Sequence, residues 1–310
     1  MGVLQMSVVQ ERAAAGVGAA VVRRGVRAKR ARFAAQQTLI YIGMLLVAAV
    51  MIVPFLWMLS SSLKPLGDVF LFPPTVFPWP PEWSNYTEAI QAMRCGDRSC
   101  FVLFMYNSFK VAILGDIGAL IAVAMAAFAF ARMQFPGRDI LFMVLIATMM
   151  IPTQVTLIPV FLMIQWLGWN DSHAALIVPN WFGGAFGTFL VRQFFMTIPD
   201  ELEDAAKIDG AGPFTIFWRI FVPLGLPALA TVAVFVFMNL WNDLQSPVIY
   251  LSDIEKMTVT VGLTMFRGQY RSDWHLLMAG SVLSIIPILA VYVVAQKYFV
   301  QGIALTGIKG

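Results

Sequence analysis

Charged residues are scarce in this chain of 310 residues. Asp, Glu, Lys and Arg together make up 12% of it, whereas hydrophobic residues make up 59%. Soluble globular domains usually carry about 25% charged residues. With a mean hydropathy of +0.77, the composition excludes an ordinary soluble enzyme and indicates a protein that crosses a membrane several times.

Residue types that carry catalysis or bind metal are also scarce. The two histidines, His173 and His275, lie at span edges without a second His or a carboxylate cluster at ligand spacing, so we interpret them as interfacial. The chain lacks the G-x-x-x-x-G-K-[ST] stretch with which many ATPases hold phosphate. No paired Asp or His cluster predicts chemistry at membrane depth. We therefore expect a protein that is not an enzyme and that binds neither metal nor ATP itself.

Only two cysteines are present, Cys95 and Cys100, in the stretch CGDRSC. Two Cys residues with no nearby His offer too few ligands for a structural metal. Outside the cytoplasm they could close a small disulfide loop, and two free thiols are the alternative.

Basic residues outnumber acidic ones by 21 to 17, and seven basic residues lie within the first 32 positions. No aromatic stacking platform or recognition motif accompanies this charge, which argues against nucleic-acid binding. A basic tail next to a first span instead favours a cytoplasmic N-terminus that touches anionic lipid. Gly and Ala fill most of the remaining tail, so residues 1–37 are predicted to be a disordered cytoplasmic segment.

Long apolar runs fill the rest of the chain, and a spanning helix needs about 20 apolar residues. Period-two alternation is absent, so the runs predict helices rather than a barrel. We expect the third run to form a tilted span plus an interfacial turn. The six predicted spans are 39–59, 111–131, 140–169, 174–191, 222–242 and 276–296.

The distribution of Lys and Arg predicts the orientation of these spans. With the N-terminus in the cytoplasm, the inner segments carry twice as many basic residues as the outer ones. This bias favours cytoplasmic positions for both termini. Residues 60–106 then form one long outer loop, which includes the two cysteines.

One charged segment interrupts the apolar pattern between the fourth and fifth spans. It reads ELEDAAKIDGAGPFTIFWRIFVPLGLP over residues 201–227. Asp200 is expected to cap a first helix, and Gly210 to end it in a left-handed conformation. Pro213 then starts a second helix, whose apolar face is predicted to comprise Phe214, Phe217, Ile220 and Phe221. From these features alone, the helix, turn and helix form either a docking element or an ordinary loop between spans.

The same segment resembles the coupling loop of ABC importer permeases, whose pattern is E-A-A-x-x-D-G-A followed by F, I, P and P at fixed offsets. Asp204 is the one departure, because it replaces Glu with a shorter acid. The residues at the positions of the pattern are Asp204, Ala205, Ala206, Asp209, Gly210, Ala211, Phe217, Ile220, Pro223 and Pro227.

Further stretches resemble the smaller permease subunit of maltose-type sugar importers, and the resemblance covers residues 38–310. They are SSLKP, WSNYTEAI, NSFKVA, NLWNDLQSPVIYLSD and GIALTGIKG. The resemblance implies an all-α polytopic membrane protein with six transmembrane helices, the type I ABC importer permease fold, and a coupling loop at 198–223. It also implies that Glu203, Asp204, Ala205, Ala206, Asp209, Gly210, Ala211, Phe217, Ile220 and Pro223 contact an ATPase.

The partners implied by the resemblance are a second permease subunit in a heterodimer, two ATPase subunits that bind ATP and Mg, and an extracytoplasmic sugar-binding protein. The location implied is a bacterial or archaeal cell membrane. The expected solute is a sugar or oligosaccharide, and glycerol phosphate or a polyol is the alternative within this class. A secondary transporter driven by an ion gradient is the alternative from another class. It should show inverted repeats and charged relays, for which the chain offers only Asp116 and Asp243.

Polar residues inside the spans are candidates for the translocation path, because lipid disfavours them. Spacings of i, i+3 and i+4 place Asn239, Asn242 and Asp243 on one face of the fifth span. Together with Asn180, these are the predicted solute-contacting residues, and bonding to one another or to the partner subunit is the alternative. The glycines of NWFGGAFG, residues 180–187, predict close helix packing, with a helix break near the path as the alternative.

Overall fold

The structure is a computed structural model that describes residue 33, residues 35–268 and residues 272–306, the last nine as backbone only. The predicted tail of residues 1–37 therefore lies outside the described residues, apart from a few positions at its end. The chain divides into two compact units, one ending at Trp57 and the other beginning at Met58.

The first described helix, α1, spans Ala35–Ser62. Its most apolar stretch has a mean hydropathy of 2.7 and contains no buried side chain. A helix that is apolar on all sides is typical of a membrane span, because only lipid or a partner helix accommodates such a surface. The helix contains the whole of the predicted first span, residues 39–59.

The second unit is organised around α3, which spans Cys100–Arg132. The Ser99 hydroxyl caps it by accepting a hydrogen bond from the Val102 amide at 3.3 Å. At about 1.5 Å per residue the helix is about 50 Å long, which exceeds the hydrocarbon thickness. The helix begins before the predicted span 111–131, and its first turns bury Phe101 and Phe104 in a protein cluster.

The other elements follow in chain order. Before α3 lie α2 (Ser84–Gln91) and the antiparallel strands β1 (Arg94–Cys95) and β2 (Arg98–Ser99). After α3 come α4 (Arg138–Ala147), α5 (Thr153–Trp166), α6 (Ala174–Ile177), α7 (Ala185–Phe195), α8 (Asp200–Ile208), α9 (Pro213–Ile216), α10 (Val222–Leu224), α11 (Leu226–Asn242), α12 (Gln245–Tyr250), α13 (Val259–Thr264) and α14 (Trp274–Thr306). Single-turn 3-10 helices occupy Leu66–Asp68, Thr148–Met150, Val178–Phe182 and Ile254–Lys256, and a π-helix occupies Phe217–Phe221.

Within the described residues, four helices are long and apolar enough to cross a membrane, and six spans result if each of two bent pairs counts as one. These four are Ala35–Ser62, Cys100–Arg132, Ala174–Phe195 and Trp274–Lys297. The bent pairs are Arg138–Met150 with Thr153–Trp166, and Pro213–Leu224 with Leu226–Asn242. The mostly helical, multi-span fold predicted from the sequence is confirmed.

The third predicted span is not one tilted helix. Its two halves meet at an angle of 102°. Ile151 at the break has extended backbone angles, φ −84° and ψ 116°. Pro152 follows it, and a residue before proline is disfavoured in the helical region because its backbone would clash with the proline ring. The proline therefore breaks the third apolar run, which its composition alone predicted to be one continuous helix.

Two glycines near α3 have different structural roles, one in helix packing and one in a helix break. A Cβ on Gly187 would lie 3.1 Å from both Val123 and Val232, so this position permits the close helix packing predicted for the stretch. Gly183 has a φ of +76°, and there the helical path is interrupted before α7 begins. The stretch therefore contains both a close packing contact, at Gly187, and a helix break, at Gly183.

Cys95 and Cys100 are joined by a disulfide. The bond spans the β1–β2 hairpin and ends on the first residue of α3. Both cysteines belong to a buried cluster with Phe104 and Trp241. The crosslink thus attaches the β1–β2 hairpin to α3.

Candidate functional site

The charged segment forms two helices joined by a tight turn. Gly210 has a φ of +78°, a conformation that favours glycine. Its amide donates to the Lys207 carbonyl at 3.0 Å, and the Ala211 amide donates to the Ala206 carbonyl at 2.9 Å. These two bonds define a Schellman cap, which satisfies the last carbonyls of α8. Pro213 is the first residue of α9, so the predicted helix, turn and helix are all present.

The start of α8 differs from the prediction. Asp200 is the first residue of the helix rather than its cap, and Pro199 precedes it without a side-chain capping bond. The Asp200 carboxylate instead accepts a hydrogen bond from the guanidinium of Arg132. The Asp200 carboxylate, which the local sequence predicted to cap α8, therefore forms an ion pair with Arg132 instead.

Arg132, the last residue of α3, is the hub of this region, and its side chain is only 8% exposed. Its Nη2 donates to the carbonyl of Phe195 at 2.7 Å and to the carbonyl of Ile198. Its guanidinium carbon lies 4.9 Å from the centre of the Phe221 ring, where a cation is attracted to the aromatic face. One side chain thus joins the ends of α3 and α7 to the start of α8 and to the π-helix.

The α8 surface itself carries an ion-pair cluster. Lys207 Nζ lies 2.9 Å from Glu203 and 3.5 Å from Asp204. The hydrogen bond to the Glu203 carboxylate raises the pKa of Lys207 above its ordinary value. Such exposed pairs contribute little to stability, but they fix the charge pattern that α8 presents.

The predicted ATPase-contacting residues differ in burial. Those exposed are Asp204, Ala205, Asp209, Gly210 and Pro223, those half-buried are Glu203, Ala206, Ala211 and Ile220, and Phe217 is buried. Phe217 packs at 5.3 Å, centre to centre, against Phe128 of α3. It therefore anchors the segment to α3.

The apolar face predicted for the second helix needs one correction. Ile216, Phe217 and Phe221 are buried, whereas Phe214 is 72% exposed. Phe214 is the second residue of α9, whereas Phe217 and Phe221 lie in the π-helix that follows. Phe214, Leu202 and Ile208 are all apolar side chains that are exposed in this segment.

The predicted solute-path residues bond mainly to nearby backbone. Asn180 and Asn242 each donate to the carbonyl four residues earlier at 2.8 Å, and Asp243 accepts from the Ser246 amide at 3.1 Å. Asn239 is exposed on α11. Throughout the described part of the chain, no hydrogen bond joins any two of these four residues.

A family comparison decides the identity of the chain. Residues 118–305 match the sequence profile of the "Binding-protein-dependent transport system inner membrane component" family. The chain belongs to this family. Its members are permease subunits of ABC importers, so this chain is a transport component of an ATP-driven importer and not an enzyme. Membership excludes the secondary transporter considered from the sequence.

Individual relatives agree with this assignment. The chain is 33% identical over 268 residues to the sn-glycerol-3-phosphate transport system permease protein UgpE of Yersinia enterocolitica, covering 85% of this chain and 95% of that protein. It is 34% identical over 282 residues to the osmoprotective compounds uptake permease protein GgtD of Synechocystis, covering 88% and 93%. The fold matches a chain from the crystal structure of a bacterial ABC transporter involved in import of the acidic polysaccharide alginate, with a TM-score of 0.73, 25% identity, and coverage of 86% and 97%.

Arg132 is the residue that sequence reasoning about this permease missed. In the sequence, Arg132 is a positive charge near the end of a span, and such charges help to set the orientation of the spans. Its partner Asp200 is 68 positions away, so local spacing gives no signal of the pair. A basic residue that directly follows a long apolar run, as Arg132 does, was the one available indication.

Proposed function

We propose that this permease forms the translocation path for a polyhydroxylated solute together with a second permease subunit, and that residues 198–223 couple it to ATP hydrolysis. Two ATPase subunits on the cytoplasmic side supply ATP and Mg, and an extracytoplasmic binding protein delivers the solute. In this arrangement the N- and C-termini are cytoplasmic, and residues 60–106 are outside.

The observation that carries the proposal is that the coupling segment is attached firmly to α3 while the surface of α8 is exposed. Arg132 and Phe217 fix the segment to α3, whereas no residue of α8 is buried. The exposed Ile208 and Phe214 flank the Gly210 turn. A helix pair of this kind transmits a displacement better than a flexible loop does, because its two ends cannot move independently.

The proposed solute class rests on the relatives. Their names specify glycerol phosphate, osmoprotective compounds and alginate. Glycerol phosphate and alginate are both rich in hydroxyl groups, although both are anionic. A sugar, oligosaccharide or polyol fits that shared chemistry.

Purification of the tagged chain from its own membranes tests the proposal. We expect a second permease and an ATPase to co-purify, and the complex to hydrolyse ATP only with Mg present. In proteoliposomes, uptake of solute should require ATP and the binding protein. Uptake by this chain alone, driven by a proton gradient, would contradict the proposal.

A further inference from the structure

A cavity of about 730 Å³, lined by both polar and apolar side chains, lies at the other end of α3 from the coupling segment. The α3 residues that line it are Leu103, Asn107, Lys110 and Leu114, which recur every three or four positions and so share one helix face. Lys110 precedes Arg132 by about 33 Å along the helix axis at ~1.5 Å per residue. If the coupling segment is cytoplasmic, the cavity lies on the side from which solute arrives.

The opposite wall of the cavity is held in a fixed geometry. Asp171 accepts from the amides of Ser252 and Asp253, both at 3.0 Å, and from Lys256 Nζ at 2.6 Å. The hydrogen bond from Lys256 holds the pKa of the Asp171 carboxyl well below its usual range. Asn107, which is buried, donates to the carbonyls of residues 255 and 257 at 2.8 and 3.0 Å. Backbone and side chains thus attach this wall to α3.

Trp181 is the aromatic residue of the cavity lining. Its Nε1 donates to the Leu114 carbonyl at 2.8 Å. A Cβ placed on Gly118 would lie 1.8 Å from Trp181 Cδ1, so the indole occupies space that only a glycine leaves open. The indole is nevertheless 48% exposed. A fixed, half-exposed aromatic ring offers a flat apolar surface of the kind that packs against the C–H groups of a sugar ring.

The cavity lining carries one more carboxylate than ammonium group, since Asp171, Asp253 and Glu255 face Lys110 and Lys256. Lys256 lies between Asp171 and Asp253, at 2.6 and 3.5 Å. Within the described residues, neither Lys110 nor Glu255 forms an ion pair, although both line the cavity. One free ammonium and one free carboxylate supply a donor and an acceptor for hydroxyl groups. They supply no excess positive charge, which a phosphate or uronate would require.

We propose that this cavity is a solute-binding site for a neutral polyhydroxylated compound, in which a sugar ring or polyol packs on Trp181 and bonds to Lys110 and Glu255. This inference rests on the proposed function and narrows it. It separates this permease from its relatives that carry glycerol phosphate or take part in alginate import, because three carboxylates and two ammonium groups disfavour an anion.

Uptake of radiolabelled maltose, trehalose, sorbitol and sn-glycerol 3-phosphate by cells that express the complete transporter tests the site. We expect at least one neutral probe to enter roughly tenfold faster than sn-glycerol 3-phosphate. Trp181→Ala should lower that uptake by roughly tenfold, which corresponds to the loss of about 1.4 kcal/mol of interaction. Trp181→Phe should restore part of it, and Glu255→Lys should raise uptake of the phosphate relative to the neutral probe.

The matched control is Trp166→Ala, since Trp166 is an exposed tryptophan on α5 and does not line the cavity. Its uptake should stay within about twofold of the original. Unchanged uptake in Trp181→Ala, preferential uptake of the phosphate, or uptake of none of the neutral probes would overturn the inference. Failure of an ATPase to co-purify would instead contradict the proposed function.

Discussion

Replacing Gly210 with proline is expected to abolish solute uptake while the protein still inserts into the membrane. Proline fixes φ near −65°, whereas Gly210 has a φ of +78°. The substitution also removes the amide that donates to the Lys207 carbonyl. We expect the turn to lose roughly 3 kcal/mol or more, since both the conformation and the bond are lost. Uptake in whole cells and immunoblots of the membrane fraction measure the two effects.

Gly212→Ala is the matched control for this substitution. Gly212 lies two positions further on, has a φ of −75°, and has no atom within 4 Å of the position that a Cβ would take. Its uptake should therefore stay within about twofold of the original. Normal uptake in Gly210→Pro would show that a fixed turn is not needed for coupling.

Replacing Arg132 with alanine is expected to separate ATP hydrolysis from transport. The change removes the hydrogen bonds to the carbonyls of Phe195 and Ile198 and the contact with the Phe221 ring. An unsatisfied buried acceptor costs about 1–3 kcal/mol. We estimate a loss of roughly 2–4 kcal/mol in total, with little from Asp200 because its side chain is 81% exposed. Thermal unfolding of the purified protein measures this change.

The functional readout for Arg132→Ala is the ratio of solute transported to ATP hydrolysed by the reconstituted complex. We expect this ratio to fall, because α8 is no longer tied to α3 and part of its displacement is not passed on. Arg138→Ala is the control, since Arg138 pairs with its exposed neighbour Asp139 at 2.9 Å and such pairs contribute under about 1 kcal/mol. An unchanged ratio in Arg132→Ala would remove Arg132 from the coupling mechanism.

Features set by short-range sequence could be predicted well. The Gly210 turn and the start at Pro213 follow from backbone preferences that a few residues determine. The apolar runs likewise located all six candidate spans, because lipid requires long apolar helices with internal hydrogen bonds. These constraints act within one segment, so the sequence of that segment displays them.

Features set by long-range contacts could not be predicted. Asp200 had the sequence of a helix cap, but an arginine 68 positions away binds it. The cavity draws its lining from three separate stretches, residues 103–114, 171–181 and 253–256. The place of Trp181 in the cavity could not be predicted, because the position of its ring depends on the space that Gly118 leaves open. Pairings of this kind depend on which helix faces meet, and no local pattern encodes that choice.

Crosslinking from position 208 tests the central claim, that the Gly210 turn docks on an ATPase, most directly. Ile208 is 87% exposed beside the turn, and the two native cysteines are joined in a disulfide, so an introduced Ile208→Cys supplies the reactive thiol. With a short bifunctional reagent in native membranes, Ile208→Cys should capture an ATP-binding subunit, whereas Thr87→Cys on α2 should not. Capture of the ATP-binding subunit from position 87, or of the extracytoplasmic binding protein from position 208, would contradict the account.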